Sequence, residues 1–232
     1  MTINIRAWLA ELVGTFTLVF FIIMSIIVYL VVLKNDSPTG ALVGIYLVHG
    51  VALLSLVYAI GPISGCHLNP AVTIALAIIK KIKPVDALGY IFVQLVGATF
   101  AAYLAAFILP QGDTVKFGLT LPSANIGNSQ TIALLVEIVL TFFLMMSIMG
   151  GAVSPKALPG VSGLTIGLTL AGAIFIGAPL SGASLNPART LGPALVSGVF
   201  DAHWVYWVGP IVGAVIAVFL YQYVFLKREE SV

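Results

Sequence analysis

Charged residues are scarce in this chain. Asp, Glu, Lys and Arg make up 8% of its 232 residues, about a third of the share in an ordinary soluble domain. That scarcity excludes a soluble globular protein of this size. A net charge of +2 without a basic run gives no footing for nucleic acid. Cysteine occurs once, as Cys66, so neither an intrachain disulfide nor a cysteine metal cluster can form. No metal-ligand cluster, nucleophile–base signature or phosphate-binding loop is present, so nothing points to an enzyme, a metal or a cofactor.

What remains is apolar: 60% of the chain is hydrophobic. A bilayer crossing needs about 20 apolar residues. Six runs are long enough, at approximately 8–33, 40–60, 85–109, 131–151, 160–177 and 203–226. Breakers separate them: Asn35-Asp-Ser-Pro38, Lys80-Lys-Ile-Lys-Pro84, the stretch from Pro110 to Asn128, Ser154-Pro-Lys156 with Pro159-Gly160, and Gly198 to Asp201. The first run is too long for a signal peptide and closes on no small-residue cleavage site, so it reads as a retained span. Two further apolar stretches, Pro70 to Ile79 and Pro187 to Ser197, are too short to cross. Ten residues of helix measure roughly 15 Å, half the hydrocarbon thickness. Each reads as a re-entrant half-helix.

The positive charges orient the chain. With six spans both termini share one side, and that side receives Arg6, Lys80, Lys81, Lys83, Lys156, Lys227 and Arg228 against Lys34 and Lys116 on the other. The bias predicts cytoplasmic termini. The expected architecture is an all-α membrane protein of one channel domain over 1–232, with six transmembrane helices and two half-helices. Three spans per half is an odd number, so the halves, approximately 1–115 and 125–232, form an inverted repeat. Glu11-Leu-Val-Gly-Thr-Phe16 against Glu137-Ile-Val-Leu-Thr-Phe142, and Gln94-Leu-Val-Gly-Ala98 against Pro210-Ile-Val-Gly-Ala214, support the duplication.

The strongest repeat lies at the breaks. Pro62-Ile-Ser-Gly-Cys-His-Leu-Asn-Pro-Ala71 returns as Pro179-Leu-Ser-Gly-Ala-Ser-Leu-Asn-Pro-Ala188, seven of ten positions identical at an offset of 117. Asn is among the best N-caps and Pro suits the first helical position, so Asn69-Pro70-Ala71 and Asn186-Pro187-Ala188 are two helix starts. An inverted repeat points them at each other at mid-membrane. When the Asn oxygen caps a backbone N–H, its amide NH₂ is left to donate. Each helix start also carries a partial positive charge of about +0.5. Gly65 and Gly182 let the chain extend, so the backbone of Gly65, Cys66, His67, Gly182, Ala183 and Ser184 is expected along a lumen. Acceptors along the walls and donors at the centre suit a small neutral polar molecule and disfavour cations and protons.

The paired Asn-Pro-Ala boxes, the second continuing to Arg189, resemble the major intrinsic protein family of aquaporins and aquaglyceroporins over nearly the whole chain. The resemblance implies a pore through each subunit, a homotetramer in the lipid bilayer, and water and small neutral solutes as the permeants; the cell membrane is the expected location. It also implies a narrow outer filter containing Arg189. By the family's spacing the other filter positions fall on His49, Ile174 and Ala183. Strict water channels usually carry Phe at the His49 position and His at the Ile174 position. The set here resembles the plant tonoplast type, some of which pass ammonia, although the outer stretch 110–129 lacks the additional histidine of such members. Thr190 stands where glycerol channels usually have Asp, and Tyr206-Trp207 with Ala194 resembles the water branch. In the family, glutamates at the positions of Glu11 and Glu137 hold the backbone of the half-helix loops.

The remaining singular residues have simpler expectations. His67, with Ser184 as its counterpart, is expected to brace its loop. Cys66 is expected to border the inner vestibule. His203 beside Trp204 reads as an interfacial anchor. The expected function is a passive channel for water, with ammonia or other small neutral solutes, excluding protons and ions. A glycerol facilitator and a secondary transporter are the alternatives, since inverted repeats and broken helices also serve transporters. Coupled transport would need a titratable or cation-binding site at the midplane, where the sequence places two asparagines.

Overall fold

The computed structural model describes residues 4–33 and 38–226. Lys34, Lys227 and Arg228 of the orienting charges, and Asn35 to Ser37 of the first breaker, lie outside the described residues. The helices are α1 (Ile5–Ile27), α2 (Pro38–Ser64), α3 (Pro70–Ile78), α4 (Pro84–Ile108), α5 (Gln130–Ile148), α6 (Ser162–Ser181), α7 (Pro187–Ser197) and α8 (Val205–Leu220). Six of them are long and apolar enough to cross a membrane, and α1, α5 and α8 lengthen further through π-helical turns at Val28–Val32, Met149–Val153 and Tyr221–Phe225. The protein is an integral, multi-pass membrane protein.

Local chemistry starts these helices. Asn4 accepts from the Ala7 N–H, Ser129 from the Ile132 N–H, and Asn69 and Asn186 begin α3 and α7. Such caps satisfy donors that a helix start otherwise leaves open. The half-helices have 9 and 11 residues, about 14 and 17 Å of rise.

Two boundaries differ from expectation. The apolar runs place the ends of the second and fifth spans near residues 60 and 177, before the proline of each repeat, yet α2 continues to Ser64 and α6 to Ser181. A proline removes its own N–H from the ladder and crowds the carbonyl four residues back, but it leaves the later N–H groups able to bond. The chain beyond keeps bonding: Gly65 N–H reaches the Gly61 carbonyl at 2.8 Å, and Gly182 N–H the Ala178 carbonyl at 3.2 Å. Pro62 and Pro179 therefore sit within last turns, and the chain leaves the helix at Gly65 and Gly182.

In hydrocarbon, helices associate by close packing rather than by escape from water, so small residues belong at the crossings. α2 crosses α6 at Gly50 and Gly167, where a Cβ on Gly50 would lie 2.5 Å from the Gly167 carbonyl oxygen. α1 packs on α4 and α5 on α8, at Gly97 under the Leu12 carbonyl and Gly213 under that of Ile138. The half-helices are exchanged between these pairs. Ala71, Val72, Ala75 and Leu76 of α3 are buried with Met145, Met149, Ala214, Ala217 and Val218 of the α5–α8 side. Ala188 of α7 is buried with Val19, Ile23, Ala98 and Ala101 of α1 and α4. Each loop is thus carried into the middle of the molecule by packing against the other half. Outside, α4 presents Leu88, Phe92, Phe100 and Phe107, all well exposed, as a lipid-facing surface requires.

Candidate channel pore

The two repeated loops leave their helices by the same backbone path. Gly65 (φ 87°), Cys66 (50°) and Leu68 (50°) are left-handed, and so are Gly182 (80°), Ala183 (44°) and Leu185 (54°). Side-chain-bearing residues enter that region only when surroundings hold them there. The hold is a buried carboxylate. Glu11, fully buried, accepts from the Ser64 hydroxyl (2.7 Å) and His67 N–H (2.8 Å) on one oxygen, and from Leu68 N–H (2.7 Å) and the Gln94 amide (2.8 Å) on the other. Glu137, equally buried, accepts from the Ser181 hydroxyl (2.8 Å), Ser184 N–H (2.9 Å) and Leu185 N–H (2.8 Å). Every partner is a donor, which suits an acceptor-only carboxylate. Tyr90 and Tyr206 finish the brace by donating to the Ser64 and Ser181 carbonyls at 2.8 and 2.7 Å.

At the centre the asparagines work crosswise. Asn69 Oδ1 accepts from Ala71 N–H at 2.9 Å, and its amide nitrogen donates to the Leu185 carbonyl of the other loop at 2.7 Å. Asn186 Oδ1 accepts from Ala188 N–H at 2.9 Å, and its amide nitrogen donates to the Leu68 carbonyl at 2.9 Å. The sequence leaves the amide NH₂ of each Asn, with its two hydrogens, as a donor. One of the two ties the opposite loop, and one remains. Pro70, Ala71, Pro187 and Ala188 are buried behind this contact and serve the helix starts.

A cavity of about 680 Å³ runs along the loops, from Lys81 and the turn at 151–160 to His49, Ile174 and Arg189. Asn69 and Asn186 both line it, with Gly65, Cys66, His67 and Ser184. The facing wall is apolar, formed by residues such as Leu18, Leu53, Leu144 and Leu170. Among the described residues of this wall none is acidic. Among the described residues, no donor reaches the carbonyls of Gly65, Cys66 or His67. Cys66 is a free, buried thiol on this wall.

The expected filter residues divide. His49, Ile174 and Arg189 end the cavity together, whereas Gly182 and Ala183 lie off its wall. Gly182 is covered by the backbone of Thr120 and Leu121, and Ala183 is fully buried. The His49 ring nitrogen Nδ1 meets its own helix at the Ile45 carbonyl (2.8 Å). If that nitrogen carries the hydrogen, Nε2 is an acceptor. Arg189 Nη1 donates to the Gly118 carbonyl at 2.6 Å, and its Nε has no partner among the described residues. His67 packs within its loop, Nδ1 3.1 Å from the Thr73 hydroxyl and ring edge-on to Tyr90. His203 accepts from the Trp207 indole at 3.1 Å at the head of α8.

Several residues brace the loops in ways no single motif announces, Thr190 and Tyr206 among them although both stand out in the sequence on other grounds. Ser64 with Ser181, Tyr90 with Tyr206, and Thr73 with Thr190 recur at repeat spacing, so the repeat carried a signal for them. Gln94, Gly118 and Thr120 have no such partner, and only the fold brings them to the loops.

Comparison with known proteins agrees with this geometry. The family pattern described as major intrinsic protein matches residues 1–221. Aquaporin AqpM of Methanothermobacter marburgensis is 42% identical over 93% of this chain and 95% of its own length. Aquaporin TIP2-1 of Arabidopsis thaliana is 37% identical over 99% and 91%. The X-ray structure of the aquaglyceroporin from Plasmodium falciparum superposes with a TM-score of 0.84 at 24% identity, covering 96% of this chain and 97% of that one, and so shares the fold. With two half-helices meeting through paired asparagines beside a lumen, and relatives matched nearly end to end, this chain belongs to the major intrinsic protein family, passive channels for water or small solutes rather than enzymes.

Proposed function

We propose that this protein is a water channel whose pore also admits ammonia or other small neutral solutes and excludes protons and ions. One observation carries the reading. Asn69 and Asn186 stand together on the cavity wall, each with a spare amide donor, where two helix starts converge and no described wall residue is acidic. A site that donates and carries partial positive charge favours a neutral molecule with lone pairs and disfavours a cation. The same observation weighs against coupled transport, which would need a cation or proton site there.

Under this reading His49, Ile174, Ala183 and Arg189 form the outer filter. Arg189 and His49 supply its polar contacts, and Ile174 leaves it less bulky than a filter with histidine at that place. Gly182 and Ala183, which lie off the wall of the described cavity, then contribute backbone only beyond its His49–Arg189 end. The two halves, 1–115 and 125–232, are inverted copies, which the matched brackets at Glu11 and Glu137 support. The termini are cytoplasmic and the channel sits in the cell membrane as a homotetramer. Stopped-flow light scattering on proteoliposomes tests the central claim. Water flux well above bare liposomes is expected, without dependence on pH or sodium gradients, and its absence refutes the reading. Glycerol and ammonia run alongside rank the solutes.

A further inference from the structure

Among the described residues, the Arg189 side chain has one protein hydrogen bond, to a carbonyl in the connection between α4 and α5. That connection has no helix of membrane length to stiffen it, and Lys116, Phe117 and Gly118 are left-handed in succession, with φ of 46°, 51° and 72°. Something must hold the Gly118 carbonyl in place. On one side Phe117 is buried among the α1, α4 and α7 side chains. On the other, the buried Thr120 hydroxyl lies 2.8 Å from that of Thr190, one residue beyond the arginine on α7.

Counting hydrogens gives that contact a direction. Ser184 donates its only hydroxyl hydrogen to the Asn186 carbonyl at 2.8 Å. Its 2.5 Å contact with Thr190 must then use the Thr190 hydrogen, so the Thr120–Thr190 contact must use that of Thr120. The three hydroxyls form one directed chain from the outer connection to the cap of α7. Thr73, the counterpart of Thr190, takes its bond from Gln94 of α4 at 3.0 Å, so the first loop depends on no connection of this kind.

We propose that Thr120 and Thr190 are positioning residues for the filter: their hydroxyl pair holds the Gly118 carbonyl, and through it the Arg189 guanidinium, at the setting that discriminates among solutes. The inference rests on the channel reading above and names a part of its selectivity. Losing the pair frees Arg189 to leave the lumen wall and widens the passage for larger neutral solutes.

The experiment compares Thr120→Val with Thr120→Ser in proteoliposomes, reading glycerol and water permeability in the same vesicles and amide exchange over residues 117–121. Val keeps the shape and removes the hydroxyl, while Ser restores it. Thr120→Val is expected to raise the glycerol-to-water ratio by about fivefold, the scale of one net hydrogen bond, with faster exchange at 117–121. Thr120→Ser is expected to match the unsubstituted protein in both. Thr190→Val, made as a second variant, is expected to shift the ratio the same way. A faster-exchanging connection with an unchanged ratio overturns the inference and leaves the pair a purely structural clasp. An unchanged ratio with unchanged exchange overturns it as well. If the unsubstituted protein carries no water above bare liposomes, the channel reading falls and takes this inference with it.

Discussion

In the first Asn-Pro-Ala loop Thr73 is tied to Gln94 of α4 and to the His67 ring, whereas in the second Thr190 is tied to Thr120 of the α4–α5 connection and to Ser184. The glutamate brackets, the tyrosine bonds and the crosswise asparagines are shared by both loops. The shared bonds build the meeting of the half-helices, which is the same task from either side. The unshared bonds follow what each loop borders. One stands beside a partly apolar stretch of the cavity, and the other presents a buried guanidinium where the cavity ends at His49 and Ile174. A loop that only shapes the wall can be fastened to a helix. A loop that positions a charge recruits a carbonyl from outside the repeat.

The largest test of the shared part is the carboxylates. Glu11→Gln places an NH₂ among buried donors and is expected to destabilise the fold by about 2–4 kcal/mol, read as a lowered unfolding temperature in detergent. Glu137→Gln should cost less, because its carboxylate serves three donors against four. Equal and negligible losses would break the claim that these acids hold the loops.

Next in size is Arg189→Val, which gives the second loop the residue that the first has at Val72. Removing a charged donor worth about 1.5–3 kcal/mol should raise glycerol-to-water selectivity by roughly tenfold or more. An unchanged ratio would remove Arg189 from the filter.

A smaller contrast concerns Cys66 against Ala183. Mercury is expected to inhibit water flux through the thiol on the vestibule wall, and Cys66→Ser should abolish the inhibition. Ala183→Cys added to that variant should restore it, which would place residue 183 beside the lumen. Continued flux in mercury would remove Cys66 from the water path.

The smallest effects are expected from Tyr90→Phe and Tyr206→Phe. Each loses one hydrogen bond to a helix-end carbonyl, about 1 kcal/mol, so their unfolding temperatures should fall by similar amounts. A large difference between them would show that the shared brace is not shared equally.

Much of this was legible in the residues. Hydrophobic runs located the six spans, because hydrocarbon leaves few other ways to satisfy a backbone. Asn followed by Pro marked both half-helix starts, because capping is local chemistry. Where the reading stopped short, the cause was a bond between distant segments. The apolar runs stop short of Pro62 and Pro179, but a helix continues where later N–H groups still find their carbonyls. The tie from each Asn amide to the opposite loop is hidden in the sequence, because the Leu68 and Leu185 carbonyls are more than a hundred residues from the amides they accept. Gln94 and Thr120 carried no signal, since neither belongs to the matched positions of a repeat.

The sequence alone determined the membrane setting, the number of spans, the two capped half-helices and the residues that face one another in the duplicated motif. These follow from hydropathy and from bonds within a few residues. Only the tertiary structure decided what those residues are fastened to: which carbonyl each asparagine reaches, which donors each glutamate gathers, and which part of the α4–α5 connection holds Arg189. Such partners are chosen by packing, where small residues let helices close and carry one half's loop into the other.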